Sequence, residues 1–301
     1  MQKLVQRQCP VCKSSNYLPY LSKESLQLVK CLECGMTFSN PVAEEFITGS
    51  YYNDSSSYYL SEAKLAGDYS PVRFSRELAI FRRFSQRGRL LDVGCSTGAF
   101  LYQVGQRWPG DYEMLGTDVA GPALDFARAK GVNVTSAHLF DEECDWGKFD
   151  AITYWAVLEH LPDPSMFLKR SSELLKPNGH CFVLVPNFNA LAVKLLGARY
   201  RYILPQHLNY FTRHTLRRLA DEHFTILYEG NSHFNPAVIY QDWKRSGRTA
   251  SDQERAALLA KTTLLKNNRW LLPLREGYKV AERVLALLNL ADNLVLVLRK
   301  R

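Results

Sequence analysis

Three sets of residues in this chain have types and spacings that could do chemistry. The first is the run Leu90-Leu91-Asp92-Val93-Gly94-Cys95-Ser96-Thr97-Gly98-Ala99-Phe100-Leu101. An apolar strand ends in an acid, a turn follows with glycine at both ends, and then comes the apolar start of a helix. Gly94 and Gly98 let backbone approach a ligand where a Cβ would collide, and Asp92 puts a carboxylate beside the same crevice. The turn also spells G-x-S-x-G, a nucleophile elbow with Ser96 as the attacking hydroxyl. An elbow normally follows several strands of a sheet already begun, whereas the residues before Leu90 read as cysteine knuckles and helix. A turn that cradles a nucleoside cofactor instead requires a second strand ending in an acid about 20 residues on. Tyr112-Glu113-Met114-Leu115-Gly116-Thr117-Asp118 supplies it, after a connection lengthened by Trp108-Pro109-Gly110-Asp111. Asp118 therefore decides for the cofactor turn.

The second set is Cys9-x2-Cys12 and Cys31-x2-Cys34, eighteen residues apart. Thiolates at this spacing on tight turns reach one tetrahedral Zn²⁺, and two such knuckles close the site. Pro10 and Gly35 suit the turns. Four protein ligands leave no open position, so the zinc is structural. A pair of disulfides is the other use of these cysteines, and a reducing compartment disfavours it. Cys95, Cys144 and Cys181 read as ordinary loop or core thiols. The third set is the histidines at 160 and 207, which lie after the fourth and fifth strands set out below.

The elements that must hold these groups follow from periodicity. Strands are expected at Leu90–Val93, Glu113–Thr117, Val132–Thr135, Asp150–Tyr154, Cys181–Val185 and Phe224–Tyr228, with a last one at Asn293–Leu298. Helices are expected at 72–84, Ala99–Arg107, Pro122–Lys130, Ser165–Leu175 and Leu216–Glu222. This alternation predicts an α/β fold with a doubly wound, mostly parallel, seven-stranded sheet. The expected organisation is a zinc ribbon over 1–40, a linker or lid over 41–75 carrying Tyr51, Tyr52, Tyr58 and Tyr59, and a core over 76–230. A helical insertion over 231–290 and a last core strand over 291–301 complete it. In the insertion, Ser251-Asp252-Gln253-Glu254 is a capping box opening a helix with Leu258, Leu259, Thr262 and Leu265 on one side. A second helix carries Val280, Val284, Leu287 and Leu288 on one face. These helices suit core cover or a homodimer face, and less directly a cap on the substrate or a membrane contact through Arg269 and Trp270.

The chain of 301 residues carries a formal net charge of +8. That balance favours anionic partners, among them nucleotide-linked substrates, nucleic acid or an anionic membrane surface. No run is as dense as a nucleic-acid arm; Arg213–Arg218 and 299–301 come nearest. No apolar run is long enough for a transmembrane segment, and the first residues lack a signal-peptide core. A cytoplasmic location is expected.

With these residues assembled, the region from Leu90 to Glu229 plus the last strand resembles class I S-adenosylmethionine-dependent methyltransferases, a Rossmann-like family. The resemblance is carried by Leu90–Leu101, Tyr112–Asp118 with Ala123–Lys130, and Phe149–Tyr154. Val157-Leu158-Glu159-His160-Leu161-Pro162-Asp163-Pro164 and Leu174-Leu175-Lys176-Pro177-Asn178-Gly179 extend it. It implies that Asp92, Gly94, Cys95, Ser96 and Gly98 form the turn around the cofactor's methionine part. Asp118 would take the ribose hydroxyls, Val119 would pack on adenine, and Leu139 and Trp155 would line the site. Ser96 stands where the commonest form has glycine. After strand three, Ala137-His138-Leu139 replaces the usual acid, which points to a backbone contact with the adenine amine.

The four-cysteine ribbon narrows the resemblance to bacterial small-molecule methyltransferases, including sugar C-methyltransferases with Tyr-x-Glu-His and a following Tyr-Phe pair. Here Ile203-Leu204-Pro205-Gln206-His207-Leu208-Asn209-Tyr210-Phe211 keeps His207, Tyr210 and Phe211 but has Gln206 and Leu204 in place of the glutamate and tyrosine. The Pro-x-His-Leu group, largely of unassigned substrate, is the better match. The implied reaction is methyl transfer to a small-molecule acceptor, at a hydroxyl or a sugar carbon. Histidine suits removal of the acceptor's proton near neutrality, so His207, and after it His160, are the candidate bases. No catalytic metal is expected, because Trp155 and Ala156 stand where acids would support a Glu159/His160 pair. Two rivals remain at this stage. One is a zinc-ribbon RNA base methyltransferase, favoured by charge but lacking Asn-Pro-Pro-aromatic after strand four. The other is a non-catalytic ribbon adaptor.

Overall fold

The computed structural model describes residues 3–54, 59–244 and 272–301. Its N-terminal part is built from β1 (Leu4–Val5), β2 (Tyr17–Lys23), β3 (Leu26–Cys31), β4 (Thr37–Ser39) and β5 (Val42–Ala43). β2, β3 and β4 form an antiparallel meander, and β1 pairs with β5. The knuckle turns are closed by Lys13 N–H donating to Cys9 O at 2.9 Å and Gly35 N–H to Cys31 O at 3.0 Å. Gly35 sits at φ +73°, the left-handed conformation that turn needs. Short helices at Glu44–Thr48, Ser50–Asp54 and Glu62–Asp68 follow, then the helix Ser75–Phe84 with Leu78 and Phe81 in the core.

The main sheet comprises β6 (Gly88–Val93), β7 (Tyr112–Thr117), β8 (Val134–Thr135), β9 (Phe149–Trp155) and β10 (Leu175–Pro186). After β11 (Asn209–Tyr210), the strands β12 (Phe224–Ser232) and β13 (Asn293–Lys300) complete it. The seven strands lie in the order β12-β13-β10-β9-β6-β7-β8. Five neighbours run parallel, and β13 inserts antiparallel between β10 and β12. This is the predicted doubly wound, mostly parallel α/β sheet. Leu90, Leu91, Ala151, Ile152, Tyr154 and residues 181–185 are all buried, the near-continuous apolar pattern of strands covered by helices on both faces. Crossover helices at Ala99–Arg107, Gly121–Ala129 and Pro164–Leu174 start at that sheet's carboxyl edge. Pro164 sits at the first turn of the last of these, where the missing N–H is not needed, and Asp163 caps it by accepting from Met166 N. The pair Thr212 and Thr215 forms a reciprocal capping box on the helix Arg213–Ala220.

Several expectations are revised. β10 starts at Leu175, not Cys181, because Lys176-Pro177-Asn178-Gly179 is an irregularity within the strand; its register to β9 shifts between Leu175 and His180. β12 continues to Ser232, since Ser232 pairs with Asn293 of β13, so the strand takes the first two residues assigned to the insertion. β8 starts at Val134, and the helix before β6 starts at Ser75. The helix Leu272–Leu287 is attached in the opposite sense to core cover. Glu282 is buried and paired with Arg76, and Tyr278 donates to Phe234 O, while Val280, Val284, Leu287 and the adjoining Leu288 are 58, 49, 85 and 61% exposed. The capping box at Ser251–Glu254, the helix with Leu258, Leu259, Thr262 and Leu265, and Arg269, Trp270 and Tyr58 lie outside the described residues. Among the described residues no helix is long and apolar enough to cross a membrane.

The contact of Gly116 with the glycine turn is tight. A Cβ on Gly116 would lie 2.7 Å from Cys95 Sγ and 2.9 Å from its Cβ. Gly116→Ala should therefore overpack the β6–β7 pair and lower unfolding free energy by about 1–3 kcal/mol, measurable as a reduced urea midpoint.

Candidate functional site

At the carboxyl edge of β6, β7 and β9 the chain opens a cavity of about 880 Å³. The turn between β6 and the helix Ala99–Arg107 forms one wall. Gly94, Ser96 and Gly98 all take positive φ, at 72, 49 and 74°. A Cβ on Gly94 would lie 2.6 Å from Val157 Cγ2, so only glycine lets the loop after β9 close in. Gly94 N–H and Cys95 N–H both donate to Thr117 O, at 2.8 and 3.1 Å. Asp118 then reaches back across the edge: Oδ2 accepts from Ser96 N at 2.8 Å and Oδ1 from Ala120 N at 2.9 Å. Burial still raises its carboxyl above the ordinary range, against those backbone donors.

Asp92 lies deeper. It accepts from Thr153 Oγ1 at 2.6 Å, and burial, with the Asp118 charge adding to it, pushes its carboxyl up to about 7. Cys95 points away from chemistry. Its side chain packs on Gly116, and burial holds its thiol far above the ordinary value. Val119 is exposed and faces the short helices, a Cβ on Gly49 lying 3.6 Å from its Cγ2. Leu139 is buried in the cavity wall, its carbonyl accepting from Arg170 Nε at 3.2 Å. Trp155 lies between Phe100 and Phe182, with Nε1 buried and unpartnered.

The opposite wall carries the histidines. One donor-type or acceptor-type atom from each of Glu159, His160 and His207 lies within 4.8 Å of the others. The two rings meet edge to face with centroids 4.8 Å apart. His160 Nδ1 lies 2.9 Å from Gln206 O. A carbonyl can only accept, so this contact calls for the proton on Nδ1. Tyr52 Oη also lies 3.0 Å from this nitrogen, and Gln206 Nε2 donates to Tyr51 Oη at 2.6 Å. The tyrosines of the 41–75 segment therefore touch the histidine loops directly. Glu159 is buried, its Oε2 lacks a hydrogen-bond partner, and burial pushes its carboxyl up to about 8.

Further lining residues were not singled out by sequence reasoning. Tyr69 donates to Thr97 O at 2.6 Å and clips the glycine turn from outside. Arg73 lines the cavity with its Nε buried and without a hydrogen-bond partner, 3.5 Å from Asp68 Oδ1. Glu77, His233, Tyr278 and Asp292 extend the wall toward β13. None lies in a motif. Arg73 lies in the turn just before the helix Ser75–Phe84 and Glu77 in that helix's first turn, and neither position tells from sequence alone what its side chain meets.

The four N-terminal cysteines gather as their spacing predicts. Cys9 and Cys34 Sγ are 3.4 Å apart, Cys12 and Cys31 Sγ 3.5 Å, and all four lie within 4.8 Å of one another. Tetrahedral Zn–S bonds of about 2.3 Å place sulfurs about 3.8 Å apart, so the set fits zinc. Burial pushes the Cys9 thiol up to about 11 and that of Cys34 higher still. At Cys31 burial is outweighed by the N–H groups of Cys34 and Glu33 and by the neighbouring thiols, and its pKa falls. Buried thiols without a disulfide are what a cation there would convert to thiolates.

Comparison with known proteins agrees with this geometry. A family model described as a methyltransferase domain matches residues 69–224. A ubiquinone biosynthesis O-methyltransferase of Marinobacter nauticus is 32% identical over 152 residues, covering 46% of this chain and 61% of that protein. One from Chromobacterium violaceum is 30% identical over 177 residues, covering 51% and 74%. The chain thus spans less than two thirds of the former relative. The crystal structure of a SAM-dependent methyltransferase from Thermotoga maritima superposes with a TM-score of 0.51 at 12% identity, over 84% of this chain and 97% of that one. At that identity the likeness concerns the fold alone.

Glu159 yields a test of the site's electrostatics. Its folded pKa, about 8, stands above the ordinary 4.5. Over that window the unfolded glutamate ionises while the folded one keeps its proton, so native stability falls as pH climbs and the loss is complete above pH 8. Glu159→Gln should remove this slope, gaining on wild type by up to about 1.4 kcal/mol per pH unit in the window. Urea unfolding near pH 4.5 and above pH 8 reads the difference.

Proposed function

We propose that this chain, which belongs to the methyltransferase-domain family, moves a methyl group from S-adenosylmethionine to a hydroxyl of a small molecule. The observation that carries the reading is Asp118: its carboxylate spans Ser96 N and Ala120 N at the mouth of a cavity whose far wall holds paired histidines. When bound, the cofactor supplies a methyl group activated by its sulfonium. Each Asp118 oxygen already accepting one N–H keeps lone-pair capacity for the vicinal ribose hydroxyls. The positive-φ turn at Gly94–Gly98 lets backbone lie against the methionine part, and Val119, Leu139 and Trp155 form the apolar boundary. Arg73 offers a cation to the carboxylate end.

His207 is the general base, taking the proton of the acceptor hydroxyl as the oxygen becomes nucleophilic. His160 orients the acceptor or shares that proton. Glu159 is buried beside them, its carboxyl kept neutral by burial at neutral pH. Tyr51 and Tyr52, which line the cavity, narrow the entrance and keep water from the reacting atoms. The names of the relatives, both O-methyltransferases, support oxygen as the methyl acceptor. Gln206 and Leu204 stand apart from the sugar C-methylating pattern.

Lining composition argues against an RNA acceptor despite the net charge of +8. Burial favours the neutral form of Asp92, Glu159 and Asp292, and the other acids of the lining, Asp68, Glu77, Asp118 and Asp163, still match Lys64, Arg73 and Arg201, so the cavity lacks the cationic excess that a phosphate backbone requires. The four cysteines hold a structural Zn²⁺, a role that their mutual approach within 4.8 Å supports.

Calorimetry with S-adenosylhomocysteine should show binding that Asp118→Ala abolishes; no binding by wild type would refute the assignment. Labelled methyl transfer to a fractionated cell extract should mark a small-molecule fraction, and His207→Ala should cut that rate by about 10²- to 10⁴-fold with S-adenosylhomocysteine affinity intact. A strong thiol-competitive chelator should extract zinc and lower the melting temperature, with dye-detected metal release following the same course.

A further inference from the structure

The ribbon is joined to the histidine wall more closely than a separate structural module requires. β4 pairs with β11, Asn209 lying opposite Phe38 and Tyr210 opposite Thr37, so the ribbon's sheet takes its outer strand from the segment directly after His207. Ser39 Oγ donates to His207 O at 2.9 Å, and Ser39 N–H to Leu208 O at 2.9 Å. Between these elements lies one guanidinium. Arg7 Nη1 donates to Leu208 O at 3.1 Å and to Ser39 O at 3.4 Å. Its Nη2 donates to Pro162 O at 2.7 Å and to Asn209 Oδ1 at 3.0 Å. Arg7 is itself anchored by its backbone N–H to Asn40 Oδ1 at 2.9 Å, two residues before Cys9.

We infer that Arg7 is a positioning residue for methyl transfer, fixing the His160 and His207 loops to each other and to the four-cysteine ribbon through one guanidinium. This rests on the proposed function, in which those two histidines face the acceptor. Pro162 is two residues from His160, and Leu208 is adjacent to His207. Asn209 transmits the same tie, because its Nδ2 donates onward to Leu158 O and Leu161 O at 2.9 and 2.7 Å. A planar fork is required: four acceptors from three segments are met in one plane, which an ammonium on a single stem does not reproduce. Among the described residues no carboxylate accepts from this guanidinium. Its donors go to carbonyl and amide oxygens, so its role is geometric rather than one partner of an ion pair. The His160 and His207 loops are irregular backbone that also meet directly, Leu208 N–H and Asn209 N–H donating to Glu159 O at 2.7 and 3.0 Å, and Arg7 sets the depth of that pair against the ribbon; an error of about 1 Å in a catalytic group can cost about 10²-fold in rate.

The test uses full-length zinc-loaded protein with S-adenosylhomocysteine and the extract fraction labelled by wild type. Arg7→Ala should lower the transfer rate by about 10- to 100-fold while S-adenosylhomocysteine affinity stays within about twofold, since Asp118 and the glycine turn are untouched. Histidine ring signals in NMR spectra should shift for His160 and His207 and stay in place for His138, His180 and His223. Added guanidinium should restore part of the rate, and Arg7→Lys should restore little. Ser39→Ala, which deletes the side-chain bond to His207 O and leaves the Arg7 fork in place, should move the same two signals by less, and it serves if Arg7→Ala does not fold. An unchanged rate with unmoved His160 and His207 signals in either variant overturns the inference. So does a uniform shift of all histidines with parallel loss of cofactor affinity, which marks general loosening. Failure of the functional reading looks different: wild type then binds no S-adenosylhomocysteine, and the clamp falls with it.

Discussion

The register of β6 against β7 is the constraint on which the site depends. Asp92 lies opposite Gly116 and Val93 opposite Thr117, so the two strands end together and their loops leave the same edge. Thr117 O then takes the N–H groups of Gly94 and Cys95, and Asp118 takes that of Ser96. A shift of one residue would turn Asp118 to the other face and leave the turn's donors without partners. Gly116 holds this register by accepting the Cys95 side chain where any Cβ would clash. The parallel sheet thus supplies the crevice, and one missing methyl group keeps it aligned.

Charge is sorted within the molecule in a way that the net total conceals. The chain is basic overall, yet among the charged residues that line its cavity the carboxylates outnumber the cations, and several are pushed upward by burial: Asp92 and Asp292 to about 7 and Glu159 to about 8. A raised pKa lets a buried acid keep its proton and avoid the cost of a buried charge. Glu159 lies beside His160 and His207, so three groups able to exchange protons meet at that wall. The buried pair Arg201–Asp242 does a different job. Arg201 donates from Nε and Nη2 to Asp242 and fixes the helix Pro236–Lys244 to the loop ahead of His207.

The ribbon and the tyrosine-bearing segment are parts of one wall rather than appendages. β11 completes the ribbon's sheet, Arg7 binds both histidine loops, and Tyr51 and Tyr52 meet Gln206 and His160. A cation held by the four cysteines would therefore also steady His160 and His207, because the same hydrogen bonds join the ribbon to both loops.

Local sequence was enough for the succession of strands and helices along the chain, the glycine turn, the acid at Asp118 and the four cysteines. Each of these depends on interactions within a few residues or on a spacing that a single motif carries. Periodicity placed β6, β7 and β9 closely, because strands buried on both faces leave long apolar runs. It missed the early start of β10, where Pro177, Asn178 and Gly179 look like a terminator but form an irregularity inside a paired strand. It also placed Val280, Val284, Leu287 and Leu288 on one face without revealing that Glu282, on the other, is the side that docks; an apolar stripe does not say whether a partner is present. Tertiary structure alone brought Arg7 to Pro162 and Leu208, Tyr52 to His160, and Arg73 to the cavity. Those contacts join residues more than a hundred positions apart, or turn on which way a helix face points, and no local pattern encodes them. The wall formed by the glycine turn and Asp118 was therefore written in short local motifs, whereas the histidine wall exists only once the ribbon, the tyrosine segment and the two histidine loops have folded together.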